Sequence, residues 1–365
     1  MEIVIIGAGP VGLWTAIQTK LQCTNIHVIV YEKHREYQRS HVVSVNPECF
    51  IDCKYNADLY ICLERVLHKS TINIKCLEIE FKQVAEKLGI QFVYKAVTDI
   101  RDLHKSHPTA SLIICADGAK SKCREQVFGN EYLFNEQLLY ACEVAYTTEN
   151  KTRKLKPILE AYPTWKLTSC IVHEYIQLQS SQSSQSGSKV TLRFLVDSVT
   201  FASIKHATFK NPIHLSKLPA HLLNNINTWM KIRHKCTGEI VTGEISVSSF
   251  MLGAFASKKC FQHINDKCTV VLVGDACCGV PFFRSLNNGL MCATKLSICI
   301  QNYTENEQNH AIILCSFKSY ERYVWIGSLI EKLVAVLHAV VVWLLTFWIK
   351  ISAIVPWQIN RWSAQ

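Results

Sequence analysis

Several familiar signatures are missing from this chain. Its 365 residues open with no charged and then apolar leader; Met1 runs straight into a β-branched segment, so the mature N-terminus is expected to be the one written. There are seventeen cysteines, but the count is odd, they scatter through segments that read as strands and helices, and none stands in paired C-x-x-C spacing. That pattern excludes a disulfide scaffold and a cysteine-ligated zinc site, and no metal is expected. Most of the thiols read as small core residues in a reducing, intracellular setting. The net charge of +10 has no single Lys/Arg tract behind it, since basic residues are spread over Lys151 to Lys156, Lys231 to Lys235 and Lys258 to Lys259 among others. Such scatter gives no reason to expect nucleic acid, whereas an anionic membrane surface or an anionic cofactor suits it.

What is present is concentrated at the start. Glu2 to Ile6 is a short β-branched run suited to a buried parallel strand, followed at once by G-A-G-P-V-G and an apolar-periodic helix. Gly7 allows a tight turn, Gly9 lets the backbone approach a pyrophosphate, and Gly12 lets the helix pack close to the strand. The helix N-terminus offers free N–H groups and a positive dipole end. A second strand, Ile26 to Tyr31, ends at Glu32, about 20 residues past the last glycine, where a carboxylate can accept from ribose hydroxyls. That carboxylate would repel a ribose phosphate, so the expected ligand carries a plain adenosine diphosphate half, as FAD and NAD do.

Further along, Arg39 follows the second strand within reach of cofactor phosphates. Residues 46–70 carry mixed helical pattern without a readable site. INIKCLEIEFKQVAEKLGIQFVY reads as a helix with Leu77, Phe81, Val84 and Leu88 on its apolar face, stopped by Gly89 and followed by a strand. The strand Leu112 to Ala116 ends in A-D-G-A-K-S-K-C-R, placing Asp117 and Gly118 at a carboxyl end, where open α/β sheets collect ligands. From Asn135 to Phe250 alternating segments such as LYACEVAYT, SCIVHEYIQL and KVTLRFLV predict antiparallel strands, with SSQSSQSGS as a hairpin tip. Cys268 to Val273 is again a buried strand, entering G-D-A-C-C-G-V-P-F-F-R-S-L-N-N-G-L and a helix through about Gln301.

Three motifs in this order, GAGPVG with Glu32, Asp117-Gly118 with Ser121 and Arg124, and Gly274-Asp275 with Pro281, give residues 1–325 a resemblance to the FAD-dependent monooxygenases of the single-component aromatic hydroxylase type. The resemblance implies an α/β fold with a Rossmann-like FAD-binding domain in two parts, 1–134 and 259–325; the alternating segments make 135–258 an inserted antiparallel β-sheet substrate domain, and the apolar run makes 326–365 a C-terminal hydrophobic helical segment. It implies that Gly7, Gly9, Gly12 and Glu32, with Lys33 beside it, hold the adenosine diphosphate and that Arg39 contacts FAD. Lys75 falls where the family has arginine or glutamine on the cofactor, and Val97 where a backbone group meets the adenine. Asp275 would bind the ribityl hydroxyls, with Gly274 and Pro281 in its loop, and Asp117 would structure the region serving FAD and the nicotinamide donor. The segment EKHREYQRSHVVSV, with its spacing onward to INIKCLE, is also similar locally to the flavin domain of actin-oxidising proteins. The chain departs from the family after Gly274-Asp275: Cys277, Cys278 and then Phe282 to Asn287 stand where the family has an alanine, a histidine and a glycine-rich loop.

The implied reaction uses NADPH or NADH to reduce FAD and, through a flavin hydroperoxide, inserts one atom of O2 into a small apolar or aromatic substrate. No catalytic residue is assigned. His173 and His206 are unplaced histidines, the adjacent Cys277 and Cys278 invite a redox reading but read rather as space-filling beside the flavin, and Arg284 is either a cation for the reduced flavin or an anionic substrate, or a loop anchor. The alternatives are an FAD-dependent reductase acting on a lipid double bond and a flavin-binding regulatory protein without turnover. Leu333 to Ile349 is 17 residues without formal charge apart from His338, at the lower edge of the length that crosses about 30 Å of hydrocarbon. Tryptophans at 343, 348, 357 and 362 and the flanking Lys332, Lys350 and Arg361 favour membrane association over a buried core helix. Oligomeric state is not legible.

Overall fold

A computed structural model describes residues 1–36, 42–68, 72–129, 131–156, 160, 172–178, 187–265, 268–280, 284–306 and 309–354. The chain divides into two compact units, Met1–Glu136 with Gly253–Ala335, and Gln137–Leu252 with Val336–Gln365. The 326–365 segment is therefore split between them, inside one helix.

The first unit is built on β1 (Glu2–Ile6), α1 (Pro10–Gln22), β2 (His27–Tyr31), the two-residue β3 (Val42–Val43), α2 (Ala57–Leu67), the two-residue β4 (Ile72–Asn73), α3 (Ile74–Lys87), β5 (Gln91–Val93), α4 (Ile100–Ser106), β6 (Ala110–Cys115) and α5 (Lys122–Phe128). Two long strands, β7 (Tyr132–Thr148) and β10 (Val241–Ser257), run between this unit and the second, which holds β8 (Val172–Leu178), β9 (Ser188–Val196), α6 (Ser198–Ile204) and α7 (Ala220–Thr237). The chain closes with β11 (Phe261–His263), β12 (Thr269–Leu272), β13 (Cys278–Gly279), α8 (Arg284–Glu305) and the 45-residue α9 (His310–Ile354).

The main sheet of the first unit has the order β11-β12-β6-β1-β2-β5. All pairings are parallel except the edge strand β11. Ile3, Val4 and Ile5 of β1 are fully buried, as a strand covered on both faces requires, and each contributes about 1.5–3 kcal/mol by burial. Trp14 of α1 packs against Phe50 and Phe81 at centroid distances of 4.9 and 5.3 Å and donates its indole N–H to Thr294 of α8 at 2.9 Å. Asn73 caps α3 by accepting from the Lys75 N–H, and Gly89 ends the segment as expected.

The second unit carries an antiparallel sheet, order β13-β10-β7-β9-β8, with the short β13 joined to the first-unit end of β10. Alternation along β7 and β9 buries Cys142, Val144, Tyr146, Leu192 and Phe194 against Leu222, Ile226 and Trp229 of α7. Within this core Arg233, fully buried, pairs with Glu239 at 2.7 Å and Glu174 at 2.8 Å and reaches the Tyr146 and Thr152 hydroxyls. The fold class is thus the expected one. Sequence pattern missed α7, whose apolar positions are sparse among polar ones.

The apolar C-terminal run is not a separate helix. It is the far end of α9, whose first half buries Phe317, Tyr320, Val324 and Ser328 in the first unit. Beyond Ala335 one face is open, with Leu337, Val340, Trp343 and Phe347 each about half exposed, while His338 packs on His173 of β8 at 5.7 Å between ring centroids. A window of this helix reaches a mean hydropathy of 2.0 with only 12% of it buried, so a core helix does not describe it.

Candidate functional site

Register alone collects the motifs. Tyr31 of β2 stands beside Ile6 of β1, Ile6 beside Cys115 of β6, and Cys115 beside Leu272 of β12. These four residues form a row across the carboxyl edge of the sheet. Glu32, Gly7, Asp117 and Gly274 lie immediately beyond it. The edge is closed by Gly7 N–H to Tyr31 C=O (2.8 Å), Ala116 N–H to Ile6 C=O (2.8 Å) and Val273 N–H to Cys115 C=O (3.0 Å).

The three glycines of the first motif do different work. Gly7 has φ +104°, and a Cβ there would meet the Ala116 carbonyl oxygen at 2.5 Å. A Cβ on Gly12 would come within 2.0 Å of the Gly7 oxygen, so the closeness of α1 to β1 depends on its absence. Gly9 is unlike either: its φ is −69°, and the nearest atom to its missing Cβ is a Glu78 carboxylate oxygen at 4.0 Å. The protein itself does not require glycine at position 9. The space left there is open to an anion, which the amides and dipole at the start of α1 would favour.

The first and third motifs touch through Val11. Cβ atoms placed on Gly274 (φ +62°) or on Gly289 of α8 would each stand 2.8 Å from a Val11 methyl, so both glycines make room for one side chain. The second and third motifs are tied by Arg124, which is buried and donates to the Ala276 and Ala119 carbonyls at 2.8 Å each while stacking on Tyr132 and Phe255. Ser121 fixes the start of α5 by accepting the Arg124 N–H at 2.9 Å.

Three carboxylates line this edge. Glu32 accepts from Ala8 N–H (2.8 Å) and His34 N–H (3.0 Å), one bond to each oxygen, which leaves lone pairs for further donors. Asp117 accepts weakly from Cys123 N–H at 3.4 Å through one oxygen; its other oxygen is buried without a hydrogen-bond partner. Asp275 accepts from the Ser285 hydroxyl at the start of α8. An orphaned carboxylate oxygen and an open glycine cradle beside an anion-binding helix end fit a dinucleotide bearing both phosphates and hydroxyls.

Among the other expected site residues, Lys33 and Lys75 are exposed and Val97 is half-buried in the β5–α4 connection. Arg39 and Pro281 lie outside the described residues. Arg284 is the loop anchor: it forms a two-bonded ion pair with Glu331 of α9. His206 is exposed, and His173 sits on β8 in the second unit, where burial holds its pKa down to about 4. Cys277 makes its contact with Cys260, Sγ to Sγ 3.3 Å, rather than with Cys278. That hydrogen bond, and then burial, push the Cys277 thiol well above the usual range, which disfavours a thiolate nucleophile. Sequence reading overlooked Glu78, 2% exposed at the cradle; an acid in phase with Ile74 and Phe81 on the apolar face of α3 was the available signal. Two clefts, of about 450 Å³ between α8 and α9 and about 530 Å³ beside α7, are lined by none of the motif residues.

No protein-family model matches the chain, and no curated protein matches it in sequence. Solved structures do match. The Diels-Alderase PyrE3 of pyrroindomycin biosynthesis aligns with 97% of this chain and 78% of its own at 12% identity and a TM-score of 0.55. The 2,6-dihydroxypyridine-3-hydroxylase of Arthrobacter nicotinovorans aligns over 91% and 90% at 12% identity and 0.56. CtdE, solved in complex with FAD, aligns over 91% and 92% at 14% identity and 0.55. At such identities what is shared is the fold.

Proposed function

We propose that this chain binds FAD along the carboxyl edge of its parallel sheet and is a flavin-dependent monooxygenase. It would take electrons from NADPH or NADH and deliver one oxygen atom of O2 to a small apolar or aromatic molecule. One observation carries the reading: three motifs separated by some hundred residues or more meet at one edge, with an open glycine cradle and an orphaned Asp117 oxygen between them. The hydroxylase and the FAD complex among the structures of like fold support it.

Bound FAD would supply the electron transfer and the oxygen activation. The chain's own residues bind and orient. The amides at the start of α1 hold the diphosphate, Gly9 admits it, and Glu32 offers its spare lone pairs to ribose hydroxyls. Asp275 and Asp117 take the remaining hydroxyls and amides of the cofactor, and Arg124 holds their two loops in register. Lys33, Lys75, Val97 and Gly274 complete the contact set among the described residues. Cys277 and Cys278 remain thiols that fill space. The exposed half of α9 attaches the protein to a membrane by its apolar length.

A second reading, a flavin-binding protein without turnover, draws on Arg284, whose charge is spent on Glu331 and is not free beside the cofactor. Purified full-length chain, in detergent and supplied with FAD, is expected to show a flavin spectrum and to oxidise NAD(P)H with oxygen uptake that rises with substrate. Colourless protein that cannot be reconstituted overturns the proposal. Bound flavin without oxygenated product selects the second reading, and reduced product formed without oxygen selects a reductase.

A further inference from the structure

Sequence alone starts the lipid-facing run at Leu333, because Glu331 and Lys332 interrupt the apolar pattern. In the structure neither charge faces outward. Glu331 is paired with Arg284, and Lys332 is paired with Glu136 and lies over the Phe134 ring at 4.7 Å. Glu321, the other acid on this stretch, accepts the Cys260 N–H at 2.8 Å. At about 100° per residue these groups share the face that buries Phe317, Tyr320, Val324, Ser328 and Ala335.

The opposite face changes along its length. Past the exposed Ala311, Ile312 and Cys315 it is basic, with Lys318 and Arg322, and it continues apolar through Ile326 (60% exposed), Leu329, Ile330 (56%), Leu333 and Leu337. A helix packed on a soluble body ordinarily turns polar side chains outward here. A basic turn followed by an unbroken apolar stripe is instead the order met on passing from anionic lipid headgroups into acyl chains.

We infer that the bilayer boundary lies between Arg322 and Ile326, inside the first unit, with Lys318 and Arg322 on anionic phospholipid headgroups. This rests on the membrane attachment proposed above and moves its edge by about two turns. The lipid-facing stripe then begins at Ile326 rather than Leu333, about 10 Å of helix earlier, while the other side of the helix stays on the protein, where His338 packs on His173 of β8 at 5.7 Å between ring centroids. The body is therefore seated in the membrane surface rather than tethered above it. The ion pairs Arg284–Glu331 and Lys332–Glu136 lie below headgroup level on the protein side, where a paired charge is tolerated. Arg284 opens α8 directly after the third motif, so the candidate site stands next to the acyl region and a lipophilic, membrane-dissolved substrate reaches it without crossing water.

The test uses the full-length chain in vesicles of phosphatidylcholine with or without phosphatidylserine, with far-UV circular dichroism as the folding control. A photoactivatable benzophenone side chain placed at position 326, 330 or 337 is expected to cross-link lipid at all three. Ile326→Asp with Ile330→Asp should weaken vesicle binding at least tenfold. Lys318→Glu with Arg322→Glu should abolish the preference for phosphatidylserine while leaving binding to pure phosphatidylcholine unchanged. Lipid cross-linking at 337 alone, with binding unaffected by the aspartates, overturns the seated body and leaves a tether. Absence of lipid at every position overturns the membrane attachment itself.

Discussion

The polar cluster around Arg233 in the second unit is buried, the carboxylates of the motif edge in the first are half-buried, and the two are finished to different degrees. Arg233 is enclosed by Glu174, Glu239, Tyr146 and Thr152, and Glu174 also takes the Trp229 indole N–H and the Leu155 amide. Its charges are consumed inside the protein. At the motif edge Glu32 uses part of its capacity, Asp117 has an oxygen without a partner, and Gly9 leaves space that no side chain claims. A network of ion pairs closed on itself serves stability, whereas the motif edge keeps hydrogen-bonding capacity that a ligand could use.

The contrast is broken most severely by Arg233→Ala, which strands two buried carboxylates and is expected to cost about 3–5 kcal/mol, read as a lowered urea midpoint for the second unit. A pH titration comes next. His173 is held down to about 4 by burial, so the unfolded chain takes its proton first as pH falls below the usual 6.5. The contribution of His173 to the stability of the second unit is therefore complete above pH 6.5 and lost progressively toward pH 4, by up to about 3 kcal/mol. His173→Gln should flatten that slope in urea unfolding measured from pH 7 to 4.5. Gly12→Ala, which drives a methyl into the Gly7 carbonyl, should cost about 1–3 kcal/mol in the first unit and weaken FAD binding with it. Gly9→Ala should separate the two properties. Thermal stability changes by less than about 1 kcal/mol, because the conformation and space accept a methyl, while FAD affinity by calorimetry falls about tenfold, or about 1.4 kcal/mol.

The strand–glycine–helix unit was readable because its constraints are local: a left-handed turn at Gly7 and a close approach at Gly12 act within a few residues. The alternating strands were readable for the same reason. What joins the motifs was not. Val11 meets Gly274 and Gly289 only after β12 and α8 are in place, and Arg124 reaches Ala276 across 152 residues. The true extent of the apolar face on α9 was hidden likewise, since Glu331 and Lys332 read as interruptions until their partners, 47 and 196 residues away, are known.

The small cleft shared by Gly274 and Gly289 around Val11 carries an evolutionary consequence. A bulkier residue at position 11 finds no slack on either side, and any side chain at 274 or 289 collides with the valine already there. Drift at these three positions must be concerted, so sequences that diverge almost everywhere else should still vary here as a set.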